Sequence, residues 1–409
     1  MLSVLVAATL VQVLGWAWVA AGVRRVRESA PAPLAEVAPP LEIPDASPAG
    51  TGPTSVADER QRDGIPSEGL PISVVIAARN EAERLPALLD ALAAQTHRPF
   101  DVVVVDDRST DRTAQIARWR AQDAPVPLRL VQVTEDDLAQ SGLPPKKHAL
   151  ERGVEAASHD RLAFTDADGR PGPGWLATLA HHATAGDPDR QQDDGAVLVG
   201  YGPYQTAAGG LNRFIRYETV TTAALAAAGV GHGRPWHAVG RNLSYPKVLL
   251  ERLGGFAHSA GSLSGDDDLL VQEVARQDAA PVHYVWEADA AVPSPAASGW
   301  RSFWRQKRRH ASAGTHYPAG VLIALGLFRV SNLVLWIGAP VLHLASGQPY
   351  GWGLLAAKLL LQRSVLGDTL DALGDEPDLR LWQPILDGLS AVYHGAFVLL
   401  GLLPTPRRW

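Results

Sequence analysis

Asp160-Arg161-Leu162-Ala163-Phe164-Thr165-Asp166-Ala167-Asp168-Gly169-Arg170-Pro171 organises this chain. The first five residues read as a short buried strand. The strand runs into two carboxylates one residue apart, and Gly169 and Pro171 then force a turn. At the carboxyl end of a strand, an Asp-x-Asp pair can place two oxygen ligands on one divalent ion. Mg²⁺ and Mn²⁺ take such hard ligands and fill their other positions from water and substrate phosphates. An isolated Asp-x-Asp is more often a solvated acidic turn, so the neighbouring segments decide its meaning.

Upstream, Ile72 to Ala78 is a continuous apolar run, as in a parallel sheet covered on both faces, and Arg79-Asn80-Glu81 lies at its carboxyl end. Leu85, Leu88, Leu89 and Leu92 then fall at helical spacing within 82–95. Phe100 to Val105 is a second buried strand that ends in Asp106-Asp107-Arg108-Ser109-Thr110-Asp111. A helix over 111–121 starts near a Thr110 or Asp111 cap. Leu128 to Val133 is a third strand, and Lys146-Lys147-His148-Ala149-Leu150 opens another helix before the strand that leads to Asp166. Strands alternating with helices predict an α/β domain with a mostly parallel sheet. In such sheets ligands bind outside the carboxyl ends of the strands, where three strands here deliver Asn80/Glu81, Asp106/Asp107 and Asp166/Asp168.

Downstream, helices are expected over Trp175–Ala183 and Leu211–Ala228, and strands over Ala196–Tyr201 and Pro281–Ala288. Residues 184–194 read as a polar loop. A Gly-rich segment, Gly229 to Gly240, carries Trp236 with His232 and His237, and such histidines are more often structural than catalytic. Trp175 reads as a packing residue. Ser264-Gly265-Asp266-Asp267-Asp268 opens a helix through about Arg276, its carboxylates at the favourable N-terminal end.

The 409 residues suffice for one large domain with membrane segments, or for two domains. The net charge of −6 gives no general affinity for nucleic acid. The absence of cysteine excludes disulfides, thiolate catalysis and Cys-based metal sites. Residues 1–23 contain no charged side chain, and Arg24, Arg25 and Arg27 follow at once. At about 1.5 Å per residue the run is long enough to cross a bilayer core. A cleaved signal peptide would carry its positive charge first, so the pattern predicts a retained anchor with the later residues in the cytoplasm. Residues 24–70, rich in Ala, Pro, Glu and Ser after the arginines, read as a linker. Residues 300–310 are basic and aromatic, and apolar segments follow at about 318–345, 351–366 and 385–403. Three further spans would leave Arg407 and Arg408 outside, against the positive-inside trend, so one of the three segments is expected to be interfacial or the C-terminus unusual.

Six ordered motifs carry a family resemblance: Ala77-x-Arg79-Asn80-Glu81, Asp106-Asp107-x-Ser109-Thr110-Asp111, Lys147-x-x-Leu150, Asp166-x-Asp168, Gly265-Asp266-Asp267 and Gln306-x-x-Arg309-His310. Together they resemble a membrane-bound family 2 glycosyltransferase of the GT-A fold over about residues 71–312. The resemblance implies a GT-A catalytic domain at 71–299, an interfacial helix at 300–317 and C-terminal membrane helices at 318–409, behind the anchor at 1–23. It implies that Ala77, Arg79, Asn80, Glu81, Asp106 and Asp107 hold the nucleotide, with Asp106 or Asp107 accepting from a base N–H. Lys147 would meet the diphosphate. Asp168, with Asp166 close by, would hold a divalent metal, Mg²⁺ or Mn²⁺. Asp267 aligns with the family's catalytic base, with Asp266 and Asp268 beside it; which of the three acts is open. Arg241 and Asn242 fall in the acceptor-lining segment. Gln306, Arg309 and His310 match the Gln-x-x-Arg-Trp motif, with His310 in place of Trp.

The implied activity is sugar transfer from a nucleotide diphosphate donor to a lipid or lipid-linked acceptor, at the cell inner membrane with the catalytic domain in the cytoplasm. A processive polysaccharide synthase would need a larger spanning bundle. A sugar-nucleotide pyrophosphorylase would show a Gly-rich loop after the first strand, which Ala78-Arg79-Asn80-Glu81 lacks. An inactive membrane scaffold would have no need of the carboxylate set.

Overall fold

The computed structural model describes residues 1–32, 34, 69–184, 195–314, 316–374 and 376–400, and within them the side chains other than those of 310–312 and 397–400. Nearly all of the expected linker after Arg27, most of the 184–194 loop, the side chain of His310, and Arg407 and Arg408 lie outside the described residues.

Seven strands form one sheet: β1 (Ile72–Ala78), β2 (Phe100–Asp107), β3 (Leu128–Val133), β4 (Arg161–Phe164), β5 (Val197–Gly200), β6 (Leu243–Pro246) and β7 (Val282–Val285). Their order across the sheet is β3-β2-β1-β4-β6-β5-β7. All neighbours are parallel except at β6, which runs antiparallel to both β4 and β5. Alternation along β1 and β2 divides their side chains between two cores. Val74, Ile76, Val102 and Val104 face α2 (Leu85–Ala93) and α6 (Trp175–Ala183). Val75, Val103 and Val105 face the other side, with Ala149, Leu150 and Val154 of α5 (Pro145–Ala156). Helix α5 lies so close that a Cβ on Gly153 would stand 2.5 Å from Val75. This double covering is why both strands read as unbroken apolar runs.

Two elements went unread in the sequence. Helix α4 (Glu135–Ser141) buries no residue and is held by a Thr134/Asp137 capping box, so it has no apolar stripe to betray it. Strand β6 falls where only an acceptor-lining segment was expected. Its four residues are all buried, and Arg161 reaches across from β4 to donate from Nε to Ser244 Oγ at 2.9 Å.

Helix α1 (Leu2–Ser29) continues through Arg24, Arg25 and Arg27 instead of ending with the apolar run. The C-terminal segments form α11 (Ala319–Ser346), α12 (Tyr350–Leu373) and α13 (Pro377–Leu400). Among the described residues, α1 and α11 are long and apolar enough to cross a membrane by length and composition, each with mean hydropathy 1.9 over its best window. Helices α12 and α13 extend past the apolar stretches that marked them because their charges are paired inside the bundle. Lys358 Nζ lies 2.5 Å from Asp387 Oδ2 and 2.7 Å from Gln362 Oε1. Asp387 also accepts from Trp336 Nε1 at 2.7 Å and Tyr217 OH at 3.2 Å.

Tyr217 belongs to α7 (Gly210–Gly231), which joins the sheet domain to these helices. Its far end meets α1 backbone to backbone: a Cβ on Gly231 would stand 2.1 Å from the Gly22 carbonyl oxygen, a spacing only glycine permits. His232 stacks on Trp18 with centroids 4.5 Å apart and meets Arg25 Nη1 at 2.8 Å, so it serves this junction.

Candidate active site

The loops after β1 and β2 are stitched together. Asn80 adopts a left-handed conformation (φ 58°), which asparagine tolerates better than most residues. Its Oδ1 accepts from the Thr110 N–H at 2.8 Å, and its own N–H donates to Ser109 Oγ at 2.9 Å. The Glu81 N–H donates to Thr113 Oγ1 at 2.8 Å, and Asp111 Oδ1 accepts the Thr113 N–H at 2.9 Å at the start of α3 (Thr113–Arg120). Asn80 thus ties the loop after β1 to the loop after β2. The Glu81 carboxyl is pushed up by burial, against the pull of Arg84.

Asp106 and Asp107 are both buried but differ in their partners. Asp107 pairs with Arg108 at 2.7 Å and lies 4.0 Å from Arg79. Asp106 Oδ1 is enclosed without a hydrogen-bond partner among the described residues. A buried carboxylate oxygen left unmatched costs free energy that a ligand N–H would return.

Asp166 and Asp168 leave the end of β4 in a turn closed by the Gly169 N–H donating to the Asp166 carbonyl at 2.8 Å. Ala77, Lys146, Thr165, Asp166, Gly240 and Asp266 line one pocket beside it. Burial and the neighbouring Asp166 charge push the Asp168 carboxyl up, against Arg241, Arg84 and Arg170. For Asp166, burial is outweighed by Lys146, Arg241 and Arg309, which hold its carboxyl down. Two carboxylates one residue apart at the end of β4 fit a hard divalent ion that completes its shell with phosphate and water. Among the described residues no third His, Asp or Glu joins them.

The lysine at this edge is Lys146, not Lys147. Lys146 Nζ bridges Asp166 Oδ1 at 3.3 Å and Asp266 Oδ2 at 3.1 Å. Burial alone would lower its pKa, but the Asp166, Asp266 and Asp267 charges push it above the ordinary lysine value. Lys147 is fully buried and gives its ammonium to the carbonyls of Ser259, Ser262 and Ser264. Successive helix residues point about 100° apart, so only one of the pair can face the sheet edge. Lys147 instead pins the loop that leads into the aspartate run.

The three aspartates at the start of α9 (Asp268–Gln277) have distinct surroundings. Asp266 is 8% exposed and paired with Lys146. Asp268 accepts from His237 Nδ1 at 2.7 Å, the Ala238 N–H at 2.9 Å and the Tyr317 hydroxyl. Burial would raise its pKa, but His237, Tyr317 and the Ala238 N–H hold it low. Among the described residues, Asp267 accepts from two backbone donors, the Gly240 N–H at 2.7 Å and the Asp268 N–H at 2.8 Å. Burial and the flanking Asp268 and Asp266 charges push its carboxyl up to about 7.

The expected acceptor pair separates. Asn242 is fully buried: its Nδ2 donates to the Tyr201 and Ala290 carbonyls at 2.8 and 2.7 Å, and Trp175 Nε1 donates to its Oδ1 at 3.0 Å. It locks β6 into the sheet and cannot meet an acceptor. Arg241 bonds the carbonyls of Gly202, Pro203 and Val292 and stacks 4.7 Å from the Tyr204 ring centroid. Gln306, on α10 (Trp300–Gly314), donates to the Tyr204 hydroxyl at 3.2 Å. Arg309 on the same helix contributes positive charge toward Asp166. Lys146, Tyr204, His237 and Tyr317 are the site residues that sequence reasoning did not place. Lys146 was one helix position away from view, and nothing local to the other three marks their distant partners.

Residues 73–190 match the family model described as "Glycosyl transferase family 2". A 4,4'-diaponeurosporenoate glycosyltransferase of Staphylococcus haemolyticus is 37% identical over 110 residues, 27% of this chain and 27% of that protein. A protein of the same description from Staphylococcus aureus is 40% identical over 97 residues, 24% of each chain. This chain therefore spans about a quarter of the length of the curated relatives it matches. Among solved structures, the mannosyltransferase PcManGT from Pyrobaculum calidifontis, in complex with GDP-Man and Mn²⁺, covers 96% of this chain and 99% of its own at 19% identity and a TM-score of 0.47. The Staphylococcus aureus TarS fragment 1–349 with UDP-GlcNAc covers 80% and 92% at 18% identity and a TM-score of 0.40. Residues 73–190, which hold β1 to β4 of the mixed, mostly parallel sheet, therefore carry the match to glycosyl transferase family 2.

Proposed function

We propose that this protein is a membrane-bound, divalent-metal-dependent inverting glycosyltransferase that moves one sugar from a nucleoside diphosphate donor to a lipid or lipid-linked acceptor. The observation that carries the reading is the division of labour among Asp266, Asp267 and Asp268. Two of them are tied to cationic partners, while Asp267, among the described residues, accepts from backbone N–H groups and is pushed up to about 7. A base is most effective when its pKa lies near the working pH.

In this reading Asp106 accepts from the base of the nucleotide, and Arg79 and Asp107 shape its pocket. Asp166 and Asp168 hold Mg²⁺ or Mn²⁺, which supplies charge neutralisation at the leaving diphosphate. Lys146 and Arg309 add positive charge at the same edge, and Gln306 lies on the acceptor side. Asp267 takes the proton of the acceptor hydroxyl as its oxygen bonds to the anomeric carbon. The bond from that carbon to the diphosphate breaks on the opposite face, so the configuration inverts.

We place the catalytic domain at 71–299 in the cytoplasm, behind an anchor at 1–23, with an interfacial helix at 300–317 and membrane helices over 318–409. The matched relatives are named for 4,4'-diaponeurosporenoate, a carotenoid acid, which favours an apolar acceptor held at the bilayer. The polar cluster around Asp387 occupies the space between α7, α11, α12 and α13, which favours single transfer over a polymer channel. The test is incubation of membranes containing the full chain with labelled nucleotide sugars, followed by lipid extraction. Label in the lipid fraction that requires a divalent ion supports the reading, and its absence with every donor overturns it.

A further inference from the structure

The Gly-rich loop and Tyr317, two residues before α11, converge on one carboxylate that the transfer reaction does not use. His237 Nδ1 lies 2.7 Å from Asp268 Oδ1, and the Tyr317 hydroxyl donates to Oδ2 of the same group. The Ala238 N–H adds a third donor at 2.9 Å. The rings of Trp236 and His237 lie 5.2 Å apart, and Trp236 meets Tyr317 edge-on at 6.3 Å, so both donors sit in one aromatic cluster. Asp268 is also the first residue of α9, one position after Asp267, whose Oδ1 accepts the Asp268 N–H. Any movement of the Asp268 side chain is therefore passed to the turn that aims Asp267.

Resting on the reading of Asp267 as base, we propose that His237 and Tyr317 are positioning residues: they neutralise and anchor Asp268, so that of the three aspartates only Asp267 is offered to the acceptor hydroxyl. The charges around Asp267 support this. On either side of it in the chain stand Asp266 and Asp268, and from α5 comes Lys146, already shared between Asp166 and Asp266. His237 comes from the loop before β6, and Lys307 of α10 opposes its charging. Burial would lower the His237 pKa, but Asp268 and Asp267 hold it above the ordinary histidine value. The His237–Asp268 pair thus carries no net charge beside Asp267. Without the imidazolium, Asp268 would stand as a bare anion next to the base, and like charges at such range disfavour ionisation. Tyr317 precedes Pro318, which caps the long apolar helix α11, so the same contact fixes the aspartate run relative to that helix.

The test is an infrared pH titration of the purified full-length protein in chelator, following the carboxylic C=O band that Asp267→Asn removes. His237→Gln should move the midpoint upward by about one to three pH units. Asp268→Asn, which is nearly isosteric, should move it downward, and the double variant should return close to wild type. Tyr317→Phe should shift it less than His237→Gln and in the same direction. In transfer assays the acidic limb of the rate should follow these shifts while the donor KM stays unchanged. A merely structural histidine would lower the rate without moving the midpoint. Unchanged midpoints in both His237→Gln and Asp268→Asn overturn the proposal even if transfer is observed. Midpoints that move as stated in a protein that transfers no sugar uphold it and refute the proposed reaction instead. If His237→Gln does not fold, Asp268→Asn alone decides by the direction of its shift.

Discussion

Two sets of buried or half-buried carboxylates sit in this molecule under opposite rules. Inside the helix bundle, Asp387 meets Lys358 at 2.5 Å and takes further hydrogen bonds from Trp336, Tyr217 and Asn332. One negative charge faces one positive charge, and donors close the remaining lone pairs. At the sheet edge, Asp266, Asp267 and Asp268 share Lys146 and His237. Three negative charges face two positive ones, and the surplus settles on Asp267. The closed set ties α7, α11, α12 and α13 together, whereas the open set leaves one carboxyl able to exchange a proton near neutral pH. Burial is common to both; the count of compensating charges separates a fastening from a reactive group.

The comparison breaks first at Asp267. Asp267→Asn should lower transfer by about 10²–10⁴-fold, with donor binding little changed, since a positioned base contributes about that much. If Asp268→Asn is the inactive variant and Asp267→Asn transfers normally, the surplus charge has been assigned to the wrong residue. In the bundle the corresponding changes act on stability. Lys358→Met or Asp387→Leu alone leaves one buried charge unmatched and should cost about 3–5 kcal/mol, while the double variant should recover most of it. Thermal unfolding in detergent reads this, and single variants as stable as wild type would dissolve the distinction drawn here.

Smaller effects sharpen the same contrast. A carboxyl whose folded pKa is raised to about 7 binds its proton more tightly in the native state. Its contribution is therefore lost as pH rises from about 4 through about 7. Asp267→Asn should then stabilise the protein by ~2–4 kcal/mol at pH 8 and by little at pH 4. Equal effects at both pH values would show that Asp267 is ionised normally. Lys147→Met, which releases the 259–264 carbonyls, should lower stability by about 1–3 kcal/mol. Lys146→Met should instead weaken donor use, seen as a higher donor KM. If the two lysine phenotypes are exchanged, the helix register assigned here is wrong.

The strands β1, β2 and β4 were legible because both faces of the sheet are covered there, so the pattern needs no partner to be recognised. Strand β6 was not, because its four residues acquire meaning only between β4 and β5, far away in sequence. Asn242 looked like a pocket residue for the same reason; its three partners come from 175, 201 and 290. The aspartate run was visible as a run, but its members are distinguished by Lys146, His237 and Tyr317, none of them adjacent in the chain. Lys146 and Lys147 could be told apart only by helix phase, which the sequence leaves open at a helix start. The carboxylate-rich edge was thus readable as a place, and its internal assignment was not.

The most direct measurement is the rate at which the purified full chain transfers label from a nucleotide sugar into lipid, followed against pH with and without chelator, for wild type and Asp267→Asn. The account predicts label in lipid at a rate that climbs through pH about 7, vanishes in excess chelator and falls at least about 100-fold in Asp267→Asn. Lipid labelled equally well by Asp267→Asn, or undiminished by chelator, would contradict it.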